Sequence, residues 1–165
     1  NSDSTRLPAK MHSFYLRKMY MENKLVEPGG IDIDGVPIDL GKIKVPCFFI
    51  STMEDHIAPW KSTYLGARYF TAPVRFVLGG SGHIAGIVNP PAANKYGYWL
   101  NPAPKLPATP DEWFSGAQQH EGSWWVNWQD WITAQGSDKL ASRDPANGKL
   151  KALEDAPGSY VKFRL

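Results

Sequence analysis

Two apolar runs decide how this chain folds: "KVPCFFIST" (residues 44–52) and "VRFVLGG" (residues 74–80). Each has strand length and carries apolar residues at consecutive positions, the pattern of a strand buried on both faces of a parallel sheet. Between them "KSTYLGARYFTA" (residues 61–72) reads as a helix. Strand, helix and strand joined by short links make a parallel βαβ unit, so the expected class is α/β.

Upstream, "PAKMHSFYLRKMYMENKL" (residues 8–25) spaces Met11, Tyr15 and Met19, with Leu16 and Tyr20 beside them, at helical intervals. An amphipathic helix that covers another surface is expected. "GIDIDGVPIDLGKI" alternates around Asp34-Gly35, a dipeptide suited to a tight hairpin turn, and predicts a small β-excursion. Asp32, Asp34 and Gly35 do not make an EF-hand, because the ligand spacing and the closing Glu are missing.

Downstream, residues 89–110 contain six prolines and read as an extended loop with little helix or interior strand. In "TPDEW", Thr109, Pro110 and Glu112 form a capping box that starts a helix. "SWWVNWQDWITAQ" predicts a further helix with Trp124, Trp128 and Trp131 on one face and Gly136 as its stop. Beyond it the sequence is polar until "SYVKFRL".

Bulk properties narrow the function. The 165 residues, 42% of them hydrophobic, suffice for one domain with a core. A net charge of +2, without a basic run, makes nucleic acid an unexpected partner. No stretch approaches the roughly 20 apolar residues of a membrane span, and the polar opening is not a signal peptide. One cysteine excludes an internal disulfide and fits a reducing compartment, so the cytoplasm is expected. The chain begins with Asn, which leaves room for it to be a piece of something longer.

Each apolar run leads directly into a polar segment: "EDHIAPW" (residues 54–60) and "GGSGHIAG" (residues 79–86). In parallel α/β sheets, functional residues gather where the carboxyl ends of strands run into loops. Asp55 and His83, 28 positions apart, both fall there. A carboxylate so placed can hold an imidazole in one tautomer while the other ring nitrogen takes a proton from a nucleophile. Each residue also has a simpler reading, Asp55 as a turn residue and His83 as a loop residue with a satisfied hydrogen bond.

Acid before histidine is the order of the last two members of the α/β-hydrolase triad, whose nucleophile comes earlier in a G-x-S-x-G or G-x-C-x-G elbow. No such elbow occurs in this sequence. Ser81 comes nearest, but the position that must be glycine is His83. Cys47, between Pro46 and Phe48, reads as a small core residue. The nucleophile is therefore expected upstream, outside these residues. His56 is assigned a structural role, and His12 and His120 are read within helical patterns. The tryptophans are read as core or interface rather than as a ligand platform.

"EDHIAPW", "RFVLGGSGHIAGIVNPP", "HEGSWWVNW" and "APGSYVKF" together closely resemble the C-terminal part of class I polyhydroxyalkanoate synthases. "NSDSTRLPAKMHSFYLRKMYMENKL" and "DGVPIDLGKIKVP" look like that family's cap region and its return to the core sheet. The resemblance implies part of a cap subdomain with a return hairpin over residues 1–40. Residues 41–165 would be the C-terminal portion of an α/β-hydrolase core. It implies an acyltransferase that moves (R)-3-hydroxyacyl units from coenzyme A onto a growing polyester through a covalent cysteine. Asp55 matches the triad acid and His83 the base. The elbow and the oxyanion-hole donors are absent, so the chain looks like a fragment that is inactive alone. No metal or redox cofactor is called for. The N-terminal part of the same enzyme, a second copy in a homodimer and the surface of polyester granules are the expected surroundings. Another α/β-hydrolase with a serine nucleophile, such as an esterase or polyester depolymerase, is the first alternative. A non-catalytic cap or dimerisation module is the second.

Overall fold

The computed structural model describes residues 6–136 and 139–163. Helix α1 (Ala9–Phe14) continues without a break into a π-helical stretch, Tyr15–Met21. A five-residue repeat brings Tyr15 over Tyr20, with ring centroids 5.4 Å apart, edge to face. Met11, Tyr15, Leu16 and Tyr20 are exposed. The hairpin follows as expected: β1 (Asp32–Ile33) pairs antiparallel with β2 (Val36–Pro37). Asp34 and Gly35 both take left-handed backbone, at φ 52° and 79°, as a tight two-residue turn demands.

The βαβ unit is present. Strand β3 (Cys47–Thr52), helix α2 (Trp60–Ala67) and strand β4 (Val74–Gly79) follow one another, and β3 lies parallel to β4 from Cys47 opposite Val74 to Thr52 opposite Gly79. After the short helix α3 (Ala85–Val88) the chain adds β5 (Tyr98–Leu100), helix α4 (Pro110–Ser115), β6 (Gln118–His120) and helix α5 (Trp125–Gln135). The sheet order is β3-β4-β5-β6, and the last two pairings are antiparallel. The result is a mixed α/β architecture with helices flanking a parallel and antiparallel sheet.

Three expectations are corrected. The proline-rich segment 89–110 contains an interior strand, β5, which occupies the three residues Tyr98–Leu100 between proline clusters. A strand so short shows no alternation. His120 lies in β6 rather than a helix, its ring stacked on Tyr98 at 5.1 Å. Strand β3 has one sheet neighbour among the described residues, and its first four residues are only half-buried. Continuous hydrophobicity there does not mean burial on both faces.

Alternation along β4 divides the core. Phe76 and Leu78 join Tyr64, Ala67 and Trp113 on one face, while Val77 joins Tyr98 and Trp124 on the other. Burial raises the Tyr64 phenol to about 12, and its hydroxyl donates to Pro107 O at 2.8 Å. The capping box forms as read: Glu112 N donates to Thr109 Oγ1 and Thr109 N to Glu112 Oε2, each at 3.1 Å. Trp124, just before α5, and Trp131 on α5 both meet Phe48, at 6.3 and 5.3 Å, and Trp128 packs in the same cluster. The helix stops before Gly136.

Residues Thr133–Leu165 form a second compact unit, with 3₁₀ turns at Pro145–Asn147 and Tyr160–Lys162. Among the described residues no helix is long and apolar enough to cross a membrane.

Trp113 is 1% exposed. Its replacement by alanine is expected to lower unfolding stability by about 3–5 kcal/mol, through lost transfer energy and a cavity. Thr109→Ala, which removes one cap, should cost only about 1 kcal/mol. Urea unfolding of the purified variants checks the ranking; a Trp113→Ala loss no larger than that of Thr109→Ala would contradict the core assignment.

Candidate active site

The parallel register brings the exits of β3 and β4 side by side, and the backbone then ties them together. Met53 N donates to Gly79 O at 2.9 Å and Glu54 N to Ser81 O at 3.0 Å. Ser81 turns the second loop in left-handed backbone, φ 68°. Two residues later the His83 imidazole meets Asp55, with Nδ1 2.8 Å from Oδ2.

Asp55 is fully engaged. Its Oδ1 accepts from Ile57 N and Ala58 N, both at 2.9 Å, which leaves Oδ2 for the imidazole. The Ala58 N–H, aided by His83 and the Ile57 N–H, holds the carboxyl below its usual range, against the opposing effect of its removal from water. Asp55 is therefore a fixed anion. With an ionised carboxylate opposite it, Nδ1 is the ring nitrogen that donates within the pair. The Asp55 side chain is 7% exposed and that of His83 is 44% exposed, so the acid is shielded and the base is open.

The other candidates fall elsewhere. Cys47 begins β3, at the end away from the pair, and its thiol donates to Val45 O at 3.3 Å. Five strand steps alone separate it from Thr52 by roughly 16 Å. Ser81 shares the His83 loop, where its carbonyl is used by Glu54. His56 is exposed, and His12 lies on α1, where a helical pattern was read. A cleft of about 470 Å³ lined by Arg75, Lys105 and His120 lies at the opposite end of β4, away from both loops. Among the described residues no group of three or more His, Cys, Asp or Glu is placed to hold a metal ion.

The chain is 49% identical over 164 residues to the poly(3-hydroxyalkanoate) polymerase subunit PhaC of Rhizobium meliloti. It is 45% identical over 165 residues to the subunit of the same name from Cupriavidus necator. The chain matches one part of the poly(3-hydroxyalkanoate) polymerases. In both comparisons 99% of this chain is covered, and it spans 26% and 28% of the relatives' lengths. Poly(3-hydroxyalkanoate) polymerase 2 of Ectopseudomonas oleovorans is 42% identical over the same share of this chain. No family model matches.

Sequence reasoning missed two groups of residues around the Asp55–His83 pair. One is the Ile57 and Ala58 amides, whose signal is the turn-forming Asp55 followed by Pro59. The other is the segment "GSWW" at residues 122–125, read for its family resemblance and its tryptophans as core or interface, without the hydrogen bonds it donates. Ser123 Oγ donates to Asn89 O at 2.6 Å, Trp124 Nε1 to Gly86 O at 3.0 Å and Trp125 Nε1 to Ile87 O at 3.0 Å.

The lowered carboxyl carries a sign for stability. Because its folded value lies below its unfolded one, Asp55 contributes stability that is complete above the ordinary carboxylate range. That contribution is lost as pH falls through the lowered value. Asp55→Asn should therefore lose less stability than the unmodified protein between about pH 6 and pH 3. Urea midpoints at the two pH values test this, and equal losses would show that the carboxylate is not held by its donors.

Proposed function

We propose that this chain carries the acid and base of a polyhydroxyalkanoate synthase with an α/β-hydrolase core. The observation that carries the reading is the 2.8 Å contact between Asp55 Oδ2 and His83 Nδ1 at the ends of adjacent parallel strands. Identity of 45–49% to proteins named as polymerases supports it, and no observation favours an esterase, a depolymerase or a non-catalytic module over it. Residues 1–40 are assigned to a cap region and 41–165 to the C-terminal part of the core.

His83 Nε2 takes the proton of a cysteine thiol supplied by the N-terminal part of the same enzyme. The thiolate attacks the carbonyl of an (R)-3-hydroxyacyl-CoA, the carbon–sulfur bond to coenzyme A breaks, and the departing thiolate takes the proton back from His83. A new acyl–cysteine thioester is left. The hydroxyl of one acyl unit then attacks the thioester carbonyl of another, giving up its proton to Nε2; the carbon–sulfur bond of that thioester breaks, the departing thiolate takes the proton back from His83, and the polyester is longer by one ester bond. Asp55 orients the ring and balances the imidazolium. With Oδ1 taken by two amides and its carboxyl held ionised, it is a poor acceptor for the substrate hydroxyl proton. The chemistry needs no metal or redox cofactor. A homodimer in the cytoplasm, at the surface of polyester granules, is the setting that goes with this reading.

In the complete enzyme, His83→Ala and Asp55→Ala are expected to lower CoA release by at least about a hundredfold while the protein remains folded, since both residues lie on loops. Release within a few-fold of the parent by either soluble variant would refute the assignment. The 165 residues alone lack the elbow and should release no CoA from 3-hydroxybutyryl-CoA above background. Co-expression with the N-terminal part should restore turnover; activity of the isolated chain would instead place the nucleophile at Cys47 or Ser81.

A further inference from the structure

His83 stands two residues before α3, a helix of only four residues, Ala85–Val88. In a helix this short the backbone beyond it reaches Ala85 O alone, through the Asn89 N–H, so the later carbonyls need other donors or water. Three arrive from one segment: the Ser123 hydroxyl on Asn89 O and the Trp124 and Trp125 indoles on Gly86 O and Ile87 O. Ser123, Trp124 and Asn89 are buried.

The donors are themselves anchored. Trp124 and Trp125 stack with centroids 4.8 Å apart, and Trp124 packs with Val77 of β4, Tyr98 of β5 and Phe48 of β3. An indole joins a rigid apolar body to a single N–H donor, so the body seats in the core while the donor reaches the loop. On its other side α3 rests on the strand ends. A methyl group added at Gly86 would collide with Gly80 O and with the Thr52 side chain. The backbone behind His83 is thus gripped between the carboxyl ends of β3 and β4 and a pair of indoles fixed to the same sheet.

We propose that Ser123, Trp124 and Trp125 are positioning residues for His83, clamping α3 so that the imidazole stays on Asp55 with Nε2 turned toward the reacting thiol. This rests on the proposed role of His83. The ring is exposed, and its bond to Asp55 does not by itself set the path of the following backbone. That path is set by α3, whose Gly86 N–H donates to Gly82 O and whose Val88 N–H donates to Ile84 O, each at 2.9 Å. Loosening α3 therefore loosens residues 82–84 directly.

The test separates a clamp from simple packing by removing donors while keeping apolar bulk. In the complete enzyme, Trp125→Phe and the double variant Ser123→Ala/Trp125→Phe are assayed for CoA release across pH, beside His83→Ala. Misplacement of a reacting group by an ångström costs up to about a hundredfold, so kcat of the double variant should fall by about ten- to a hundredfold with KM within about twofold. The pH at which kcat is half-maximal should move, and amides of residues 84–89 should exchange faster with solvent. A folded double variant with parental kcat and pH profile overturns the clamp. So does a loss of kcat with the pH profile and amide exchange unmoved, which marks packing alone. If His83→Ala keeps turnover, the catalytic reading fails instead, and the exchange of residues 84–89 still decides whether the indoles hold this loop. Should the double variant not fold, Ser123→Ala with Ser123→Thr as its rescue supplies the same comparison.

Discussion

The register of β3 on β4, with Thr52 opposite Gly79, is the constraint on which the rest depends. A shift of one residue would turn the Phe76 and Leu78 face toward α5 and Val77 toward α2, exchanging the two halves of the core. It would also separate the loops. Met53 bonds Gly79 and Glu54 bonds Ser81 only because both strands end at the same level. Packing and chemistry are specified by one alignment, so errors in either would be visible in the other.

Given that alignment, the pair can be held tightly at one residue and openly at the other. Asp55 is the fixed element, its charge set by two backbone amides that follow it within three residues. Local donors of this kind cost little conformational entropy beyond that of the turn they define. His83 is the exposed element, and an exposed ring needs support from behind. That support comes from residues about 40 positions away, through carbonyls that the short helix α3 cannot satisfy internally.

What was legible in the sequence follows the range of the interaction that causes it. The hairpin at Asp34-Gly35, the Thr109 capping box and the βαβ unit depend on neighbouring residues or on periodicity, and the chain forms them as read. That Asp55 and His83 lie side by side was legible because strand ends in a parallel sheet have a predictable edge. Strands β5 and β6 were not, since Tyr98–Leu100 and Gln118–His120 are strands only through their partners. Three residues carry no period, and an edge strand such as β6 tolerates polar side chains on both faces. The half-burial of β3 was hidden for a related reason: hydrophobicity reports the surface a segment can bury, while sheet position determines how much the described residues bury.

The tryptophans show why a correct packing assignment can still be incomplete. Trp124, Trp128 and Trp131 do form one apolar face, as their spacing requires. Spacing describes where the ring goes and is silent about where the indole N–H goes. In Trp124 and its neighbour Trp125 the two parts serve different ends: the rings fill the space between α5 and the sheet, and the donors cross to the backbone behind His83. A phenylalanine would satisfy the first demand at nearly equal area and leave two carbonyls without their partners. Where buried Trp occurs beside a loop that must be held still, the choice of Trp over Phe is itself a statement about hydrogen bonding, because a buried N–H without an acceptor would cost about 1–3 kcal/mol.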